Sequence, residues 1–594
     1  MTISKYSIVF FLFLFVTSLP IYSQIYFDYI GAGHTDEMLI TSSDSDSTTM
    51  PIRTFDGMGI MPDNYGASRF LSQATLGADY ETIQKVATKG YTDWLEEQFE
   101  IPASTTQNYL DTLVKVYIDS LIASTGDSSI STVTNIPSNF WQFSWWQTTM
   151  TSDDLLRHRV ALALSEIFVV SDVGVLDLFP EGLASYYDML LENSFGCFDS
   201  LLLDVTLHPC MGTYLTHLNN PKTDSTINRF PDENYAREIM QLFTIGLYEL
   251  NPDGTRKTDA NGDWIPTYDN SHITEFARVF TGLSFGGTNT NFGTRRGSYR
   301  DPMQMFEDRH EEGTKNLLNG EVVPTGQTGM EDIQAAINNL FNHNNTGTFI
   351  GRQLIQRLVT SNPSKAYISR ITEAFNDNGN GQRGDMKHII KSVLLDPEAR
   401  DCGLRRDTTN GMLREPMLKQ IHLMRAFNAV SLDSTYHHRN DLFWKDTGQR
   451  PLSSPSVFNF FLPEYQPIGK IGENDLVAPV FQLLNSNTSL GFLNQENDWF
   501  FGTNKLMDTQ PVFGTTVADN AIPQLDLSDE ITLATAGDLD GLIDRLDLIL
   551  TSGDLSPTTR LVIKTTLTSL TDPQEIVAMA LYLIMLSPDY AILR

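Results

Sequence analysis

"FPDENYAREIMQLFTIGLYELNPDGT", Phe230 to Thr255, packs Asp232, Glu233, Asn234, Arg237, Glu238 and Gln241 into a short polar run and then turns apolar. Pro231 suits the first turn of a helix, and Asp232 and Glu233 complement the positive end of its dipole. Glu233 and Arg237 stand four apart, as do Asn234 and Glu238, and Arg237 and Gln241, so each pair shares a face of one helix. The "MQLFTIGL" that follows is apolar nearly all round, the mark of a helix buried over its C-terminal half. The spacing predicts a helix over 231–246 whose polar turns enter the interior or a cleft, where carboxylates must be paired. Two readings stay open. In one, Arg237 pairs with Glu233 or Glu238 in a structural ion network. In the other, Glu233 and Glu238 act as acid and base while Arg237 holds an anion, with Asp232, Asn234 and Gln241 as ligand contacts. Carboxylates on one short helix diverge in direction, so the catalytic reading needs a second helix to contribute.

Helical patterns dominate outward from this stretch. "YETIQKVATKGYTDWLEEQFEIP" has helical spacing broken at Gly90. "MEDIQAAINNLFNH", "TFIGRQLIQRLVTSNP", "SKAYISRITEAF" and the "QEIVAMALYLIMLSP" that follows Asp572 and Pro573 read as further helices. "TSDDLLRHRVALALSEIFVVSD" opens with Thr151 and Asp154 in capping-box spacing. Arg159 and Glu166 lie seven apart on one face of it, and a buried Arg159 would neutralise carboxylates of the 231–246 helix. The alternative for Arg157, His158 and Arg159 is a basic patch in solvent. Strand signals are sparse, limited to a possible hairpin in "TRKTDANGDWIPTY" with Asn261 and Gly262 at its turn. The fold class expected is mainly α, a large multi-helix body with long loops and at most a small β-hairpin.

Composition narrows the function classes. The chain has 594 residues, 41 % of them hydrophobic, which is enough for a large core. A formal charge of −32 argues against nucleic acid as a partner. The start, "MTISKYSIVFFLFLFVTSLPIYSQ", places Lys5 before an apolar run too short to span a bilayer, so a signal peptide over 1–23 is expected, with the mature chain starting near Gln24. No later run is long enough to span. Residues 24–60 read as a disordered tether. Cys197 and Cys210 are close enough in sequence to pair, leaving Cys402 over; three buried thiols is the other reading. His208 and His217 lack metal-motif spacing, so His208 is kept only as a ligand-binding candidate, and His310 reads as part of a polar loop. Asp259, Asn261 and Asp263 have the spacing of half a calcium loop but lack its turn glycine and terminal glutamate. No cofactor is expected from the sequence beyond that weak calcium possibility. Trp141 and Trp145, four apart in "FWQFSWWQ", are either core or a sugar-binding platform.

The motifs "SRFLSQATLG", "RHRVALALSEIFVVS", "PDENYAREIMQLFTIGLYELNPDGT", "EFARVFTGLSF", "RGDMKHIIKSVLLDPEAR" and "PSVFNFFLPEY", in this order, resemble the bacterial domain of unknown function 1800 (DUF1800) family. The resemblance implies a family domain over 61–500 continued by a C-terminal helical part over 501–594. It implies an exported, periplasmic or extracellular protein without an agreed activity. It also implies a partner: such proteins are often encoded beside a second exported family, number 1501 (DUF1501), of alkaline-phosphatase and sulfatase-like appearance. The function expected is that of a binding or accessory protein acting with that partner on the cell envelope or extracellular polymers. The competing expectation is a hydrolase or transferase using the carboxylate and arginine cluster.

Overall fold

The computed structural model describes residues 63–594 except 131, 133–135, 288–289, 402–403, 405–406, 408, 437–440 and 502–522, together with two strand pieces, Leu39–Ile40 and Ile52–Arg53, paired antiparallel. The expected signal peptide, Cys402 and most of the tether lie outside the described residues. The architecture is mainly α, as the periodicity predicts. The strands among the described residues are two-residue antiparallel pairs.

Local chemistry sets many of the helix starts. Asp63, Asp79, Ser364, Asp385 and Asp572 each accept a backbone N–H in the first turn of the helix that follows. Thr328 and Glu331 form a reciprocal capping box. Gly90, at φ +92°, separates Tyr80–Lys89 from Tyr91–Glu100, where the sequence pattern breaks. Thr151 does not open the next helix as expected. It ends Asn139–Thr151, and Leu155–Ser165 begins after Asp154. The Asp154 carboxylate is turned inward instead, accepting from the Ser104 N–H at 2.9 Å and lying 3.6 Å from His158.

One apolar core runs from Ala67 to Tyr590. Trp141, Trp145 and Trp146 are fully buried within it, so this tryptophan group is packing and not a platform. Leu155–Ser165 packs on Pro180–Asn193 and touches Asn344–Leu358, which in turn lies against Lys365–Asn376 and Met386–Leu395. The two ends of the chain are sewn together. Asn64–Ala74 packs on Leu539–Thr551, Ser68 Oγ donates to the Leu548 carbonyl at 2.7 Å, and Arg69 Nε donates to the Arg594 carbonyl at 2.7 Å. Met412–Leu413 pairs antiparallel with Ile592–Leu593.

The opening stretch is a shorter helix than its spacing suggests. It runs Asn234–Gln241 and then unwinds: the Ile245 and Gly246 N–H groups both donate to the Met240 carbonyl, and Gly246 turns the chain at φ +70°. A side chain at Gly246 would meet the Phe349 ring at 2.8 Å, so close approach and left-handed backbone both require glycine there. Beyond it, bridges at Tyr248 with Pro266, Leu250 with Arg256 and Thr258 with Trp264 make the expected hairpin, with Gly262 at φ +89°.

Because the C-terminal helices complete the core around Asn64–Ala74, a chain ending at Phe501 is expected to lose cooperative unfolding. Thermal melting followed by far-UV circular dichroism checks this; a sharp transition near that of the full chain would contradict it.

Candidate functional site

The polar residues of the opening helix divide by face. Glu233 and Arg237 point outward, their charged groups 3.7 Å apart and both side chains more than 40 % exposed. Glu233 also accepts from Thr274 Oγ1 at 3.0 Å. Asp232 and Asn234 are exposed. The Asp232 carboxylate accepts from Thr216 Oγ1 and from the Asn234 N–H, both at 2.9 Å, which is loop and helix-start chemistry. Glu238 alone among the acids is buried, its Oε2 without a hydrogen-bond partner. Burial holds its carboxyl above the usual range, against the attraction of Arg237. Gln241, one turn on, accepts from Tyr268 at 3.3 Å and reaches the wall of a deep cleft.

That cleft encloses about 510 Å³. The second half of the opening stretch forms one wall through Gln241, Leu242, Gly246, Leu247 and Tyr248. Asn344–Leu358 supplies Phe349, Gln353, Gln356 and Arg357, and the 457–466 loop supplies Phe458, Phe461 and Tyr465. At the rim, Glu464 receives Arg256 at 2.8 Å and Arg352 at 3.5 Å, while Arg256 lies over the Trp264 ring at 4.1 Å.

The floor carries the buried charge. Glu166 stands just past the end of Leu155–Ser165, within 3.5 Å of Arg357 Nε, and both groups are nearly solvent-free. Arg357 Nη2 donates to the Glu166 carbonyl at 3.0 Å, and its Nη1 to the Gln353 backbone and side-chain oxygens at 3.3 Å. Arg159 is buried, and its Nη2 donates to the Arg357 carbonyl. It does not reach the opening helix as the sequence suggests; Glu415 and Glu166 are the carboxylates that act on it. Glu415, also buried, accepts from Gln449 Nε2. Neither Glu166 side-chain oxygen receives a donor from the described residues. Burial first, and Glu415 second, push the Glu166 carboxyl well above the carboxylate range, outweighing Arg357 and Arg159. Burial likewise pulls both guanidiniums below their usual value. Glu166 thus places a carboxyl with a raised titration at the bottom of a cleft, and its protonated form is a donor for a ligand oxygen. The guanidiniums of Arg357 and Arg159 lie beside it. Among the described residues, Gln353 Nε2 and Gln356 Oε1 are a buried donor and a buried acceptor without partners, on residues that line the same cleft.

Other candidates take structural places. His208 Nδ1 caps the helix Pro209–Tyr214 by accepting the Cys210 N–H at 3.2 Å, and burial pushes its imidazole down to about 3. His217 stacks on Tyr235 with ring centroids 3.9 Å apart. His310 is not in a solvated loop: it is buried, 3.0 Å from Asp332, which also holds Lys315 at 2.5 Å. Cys197 and Cys210 are both free thiols. The Asp259 carboxylate accepts the N–H groups of Asn261 and Asp263 at 2.8 and 3.0 Å, an ordinary turn. Among the described residues no group of three or more His, Cys, Asp or Glu is placed to hold a metal ion.

Comparison with known proteins agrees with the motif reading. A family model described as "Protein of unknown function (DUF1800)" matches residues 69–592. The chain belongs to the DUF1800 family. No curated protein and no solved structure matches it. Both the opening helix and the Glu166–Arg357 floor therefore fall within the region that defines the family.

The two ion pairs predict opposite outcomes. Arg237→Ala is expected to cost at most ~1 kcal/mol, because its pair is solvated. Arg357→Met, which strands Glu166 and Glu415, is expected to cost about 3–5 kcal/mol. Urea unfolding separates them, and equal costs would contradict the assignment. The Glu166 carboxyl also predicts a pH slope. Its folded value lies above its unfolded one, so the unfolded chain ionises first and stability falls as pH rises from the ordinary glutamate range toward the folded value. Glu166→Gln cannot titrate, so its stability relative to the parent should climb through that window. A relative stability that falls instead would show that the parent carboxylate is ionised and paired.

Proposed function

We propose that the protein is an exported binding or accessory protein that holds a segment of a polyhydroxylated polymer, from the cell envelope or the extracellular matrix, in the Glu166–Arg357 cleft. The lining of the cleft carries this reading. Tyr248, Phe349, Phe458, Phe461 and Tyr465 supply ring faces, and Phe458 is 45 % exposed. Gln241, Gln353, Gln356 and Gln466 supply amides between them. Ring faces cover the apolar side of a sugar, while amides and a protonated carboxyl meet its hydroxyls. No helix among the described residues is long and apolar enough to cross a membrane. The exported DUF1501 partner of phosphatase or sulfatase-like appearance rests on family analogy and completes the reading as the enzyme that would act on the polymer held here.

The competing reading is a hydrolase or transferase, and one observation favours it: the buried carboxyl of Glu166, its titration pushed upward, lines the cleft. In that reading Glu166, rather than Glu233 or Glu238, is the general acid. Glu233 is solvated, and Glu238 stands apart from the residues that line the cleft.

One experiment addresses both. The mature protein is titrated with a panel of envelope and extracellular oligosaccharides by calorimetry, and each mixture is then analysed for cleavage or transfer. Saturable binding that weakens at least tenfold in Phe458→Ala, with no turnover, is the expected result. Turnover abolished by Glu166→Gln while binding persists would replace it with the enzyme reading. Absence of binding across the panel, or binding indifferent to Phe458→Ala, would overturn the proposal.

A further inference from the structure

A second cleft, of about 240 Å³, lies on a different part of the molecule. Its walls are Leu413, Val480, Leu483, Phe492, Leu493 and Met585, so it is apolar nearly throughout. Two cations interrupt that lining, Arg414 and Lys419. Lys419 lies on the helix Pro416–Ala426 and is only 8 % exposed. Among the described residues its Nζ has no hydrogen-bond acceptor or ion-pair partner. The contact it makes is with the Phe492 ring, 4.5 Å from the centroid. An ammonium without an acceptor in an apolar cleft is costly, and a ligand anion would relieve that cost.

The carboxyl that acts on it is itself buried and makes no ion pair within 4 Å of it among the described residues. Glu496, one turn beyond Phe492 on Ser486–Phe501, is fully buried, and among the described residues both its carboxyl oxygens lack a hydrogen-bond partner. Burial pushes the Glu496 carboxyl up to about 8, so at neutral pH it stays protonated. Burial acts downward on the Lys419 ammonium, Glu496 upward and Arg414 downward, leaving it at about 8. Arg414 lies over the Tyr590 ring at 4.4 Å and reaches the His422 ring nitrogen, which burial and Arg414 keep neutral. Lys419 and Arg414 thus stand at one end of an apolar cleft, with burial favouring the neutral form of Glu496.

We propose that this cleft binds a small monocarboxylate with an apolar body, a short aliphatic or single-ring aromatic acid, whose carboxylate takes Lys419 Nζ beside Arg414. The volume is below that of a drug-sized site and sets the limit on the body. The apolar walls exclude strongly hydrated anions such as free phosphate, which carry no surface to bury. The site is separate from the Glu166 cleft and does not depend on the function proposed for it.

The test uses the mature protein and hexanoate, with hexanamide as its uncharged counterpart, both followed by calorimetry. Hexanoate is expected to bind saturably and at least tenfold more tightly than hexanamide, and Lys419→Met is expected to remove that difference. Binding should also weaken as pH rises past about 8, where Lys419 loses its proton and Glu496 gains charge, both in the same direction. Hexanoate no tighter than hexanamide, or no binding of either, would overturn the proposal without recourse to a variant. Hexanoate binding unchanged in a folded Lys419→Met would overturn it as well, placing the ligand elsewhere.

Discussion

The buried group of Glu166, Arg357, Arg159 and Glu415 is the constraint around which the rest is arranged. Four ionisable side chains in the interior cost several kcal/mol each unless they face one another. Facing one another fixes the relative position of three segments that are distant in sequence: Leu155–Ser165 with its end at Glu166, Asn344–Leu358, and the start of Pro416–Ala426. The hydrogen bonds are partly to backbone, with Arg357 reaching the Glu166 carbonyl and Arg159 reaching the Arg357 carbonyl. Each guanidinium therefore positions a chain as well as a charge, and planar multi-donor geometry is what arginine offers over lysine for that task. An apolar replacement would serve packing equally well. Retaining four ionisable groups keeps a carboxyl with a raised titration where a ligand can reach it.

Much of the fold was legible. Hydrophobic period, cap residues and glycine breaks predicted a helical body, and the break at Gly90 and the turn around Gly262 are where the sequence places them. Boundaries were less legible, because tertiary packing sets them. The helix from Asn234 stops at Gln241 although its pattern continues, because Gly246 must pass against Phe349 and the chain must turn into the cleft wall. The apolar run after Gln241 does mark burial, but burial of a turn. The sequence signal for an all-round buried helix and for a short buried turn is the same string of apolar residues.

The site was legible only in part. The seven-residue spacing of Arg159 and Glu166 correctly places them on one side of the chain, and their charges do act on each other. What spacing cannot supply is the third and fourth members. Arg357 sits inside the apolar run "LIQRLV" and Glu415 before Pro416, where it reads as a helix-start acid. An arginine in a run where only Gln356 breaks the apolar residues from Leu354 to Val359 was the available signal, since such a residue is buried only when paired. The charged cluster that attracts attention, Glu233 with Arg237, is the pair that solvent already satisfies. Dense charge on one short helix is what a solvated face looks like; sparse charge within apolar sequence marks the interior.

The two clefts meet at one short segment. Glu415 acts on Glu166 and Arg159 beneath the larger cleft, while its neighbour Arg414 lines the smaller one. Leu413, Phe461, Val480 and Leu483 form a small apolar cluster between them; Phe461 belongs to the larger cleft and the other three to the smaller. This segment is in turn fixed by the pairing of Met412–Leu413 with Ile592–Leu593 at the end of the chain. Leu413 and Arg414 on the smaller cleft, followed directly by Glu415, tie the wall of that cleft to the carboxyl that acts on Glu166.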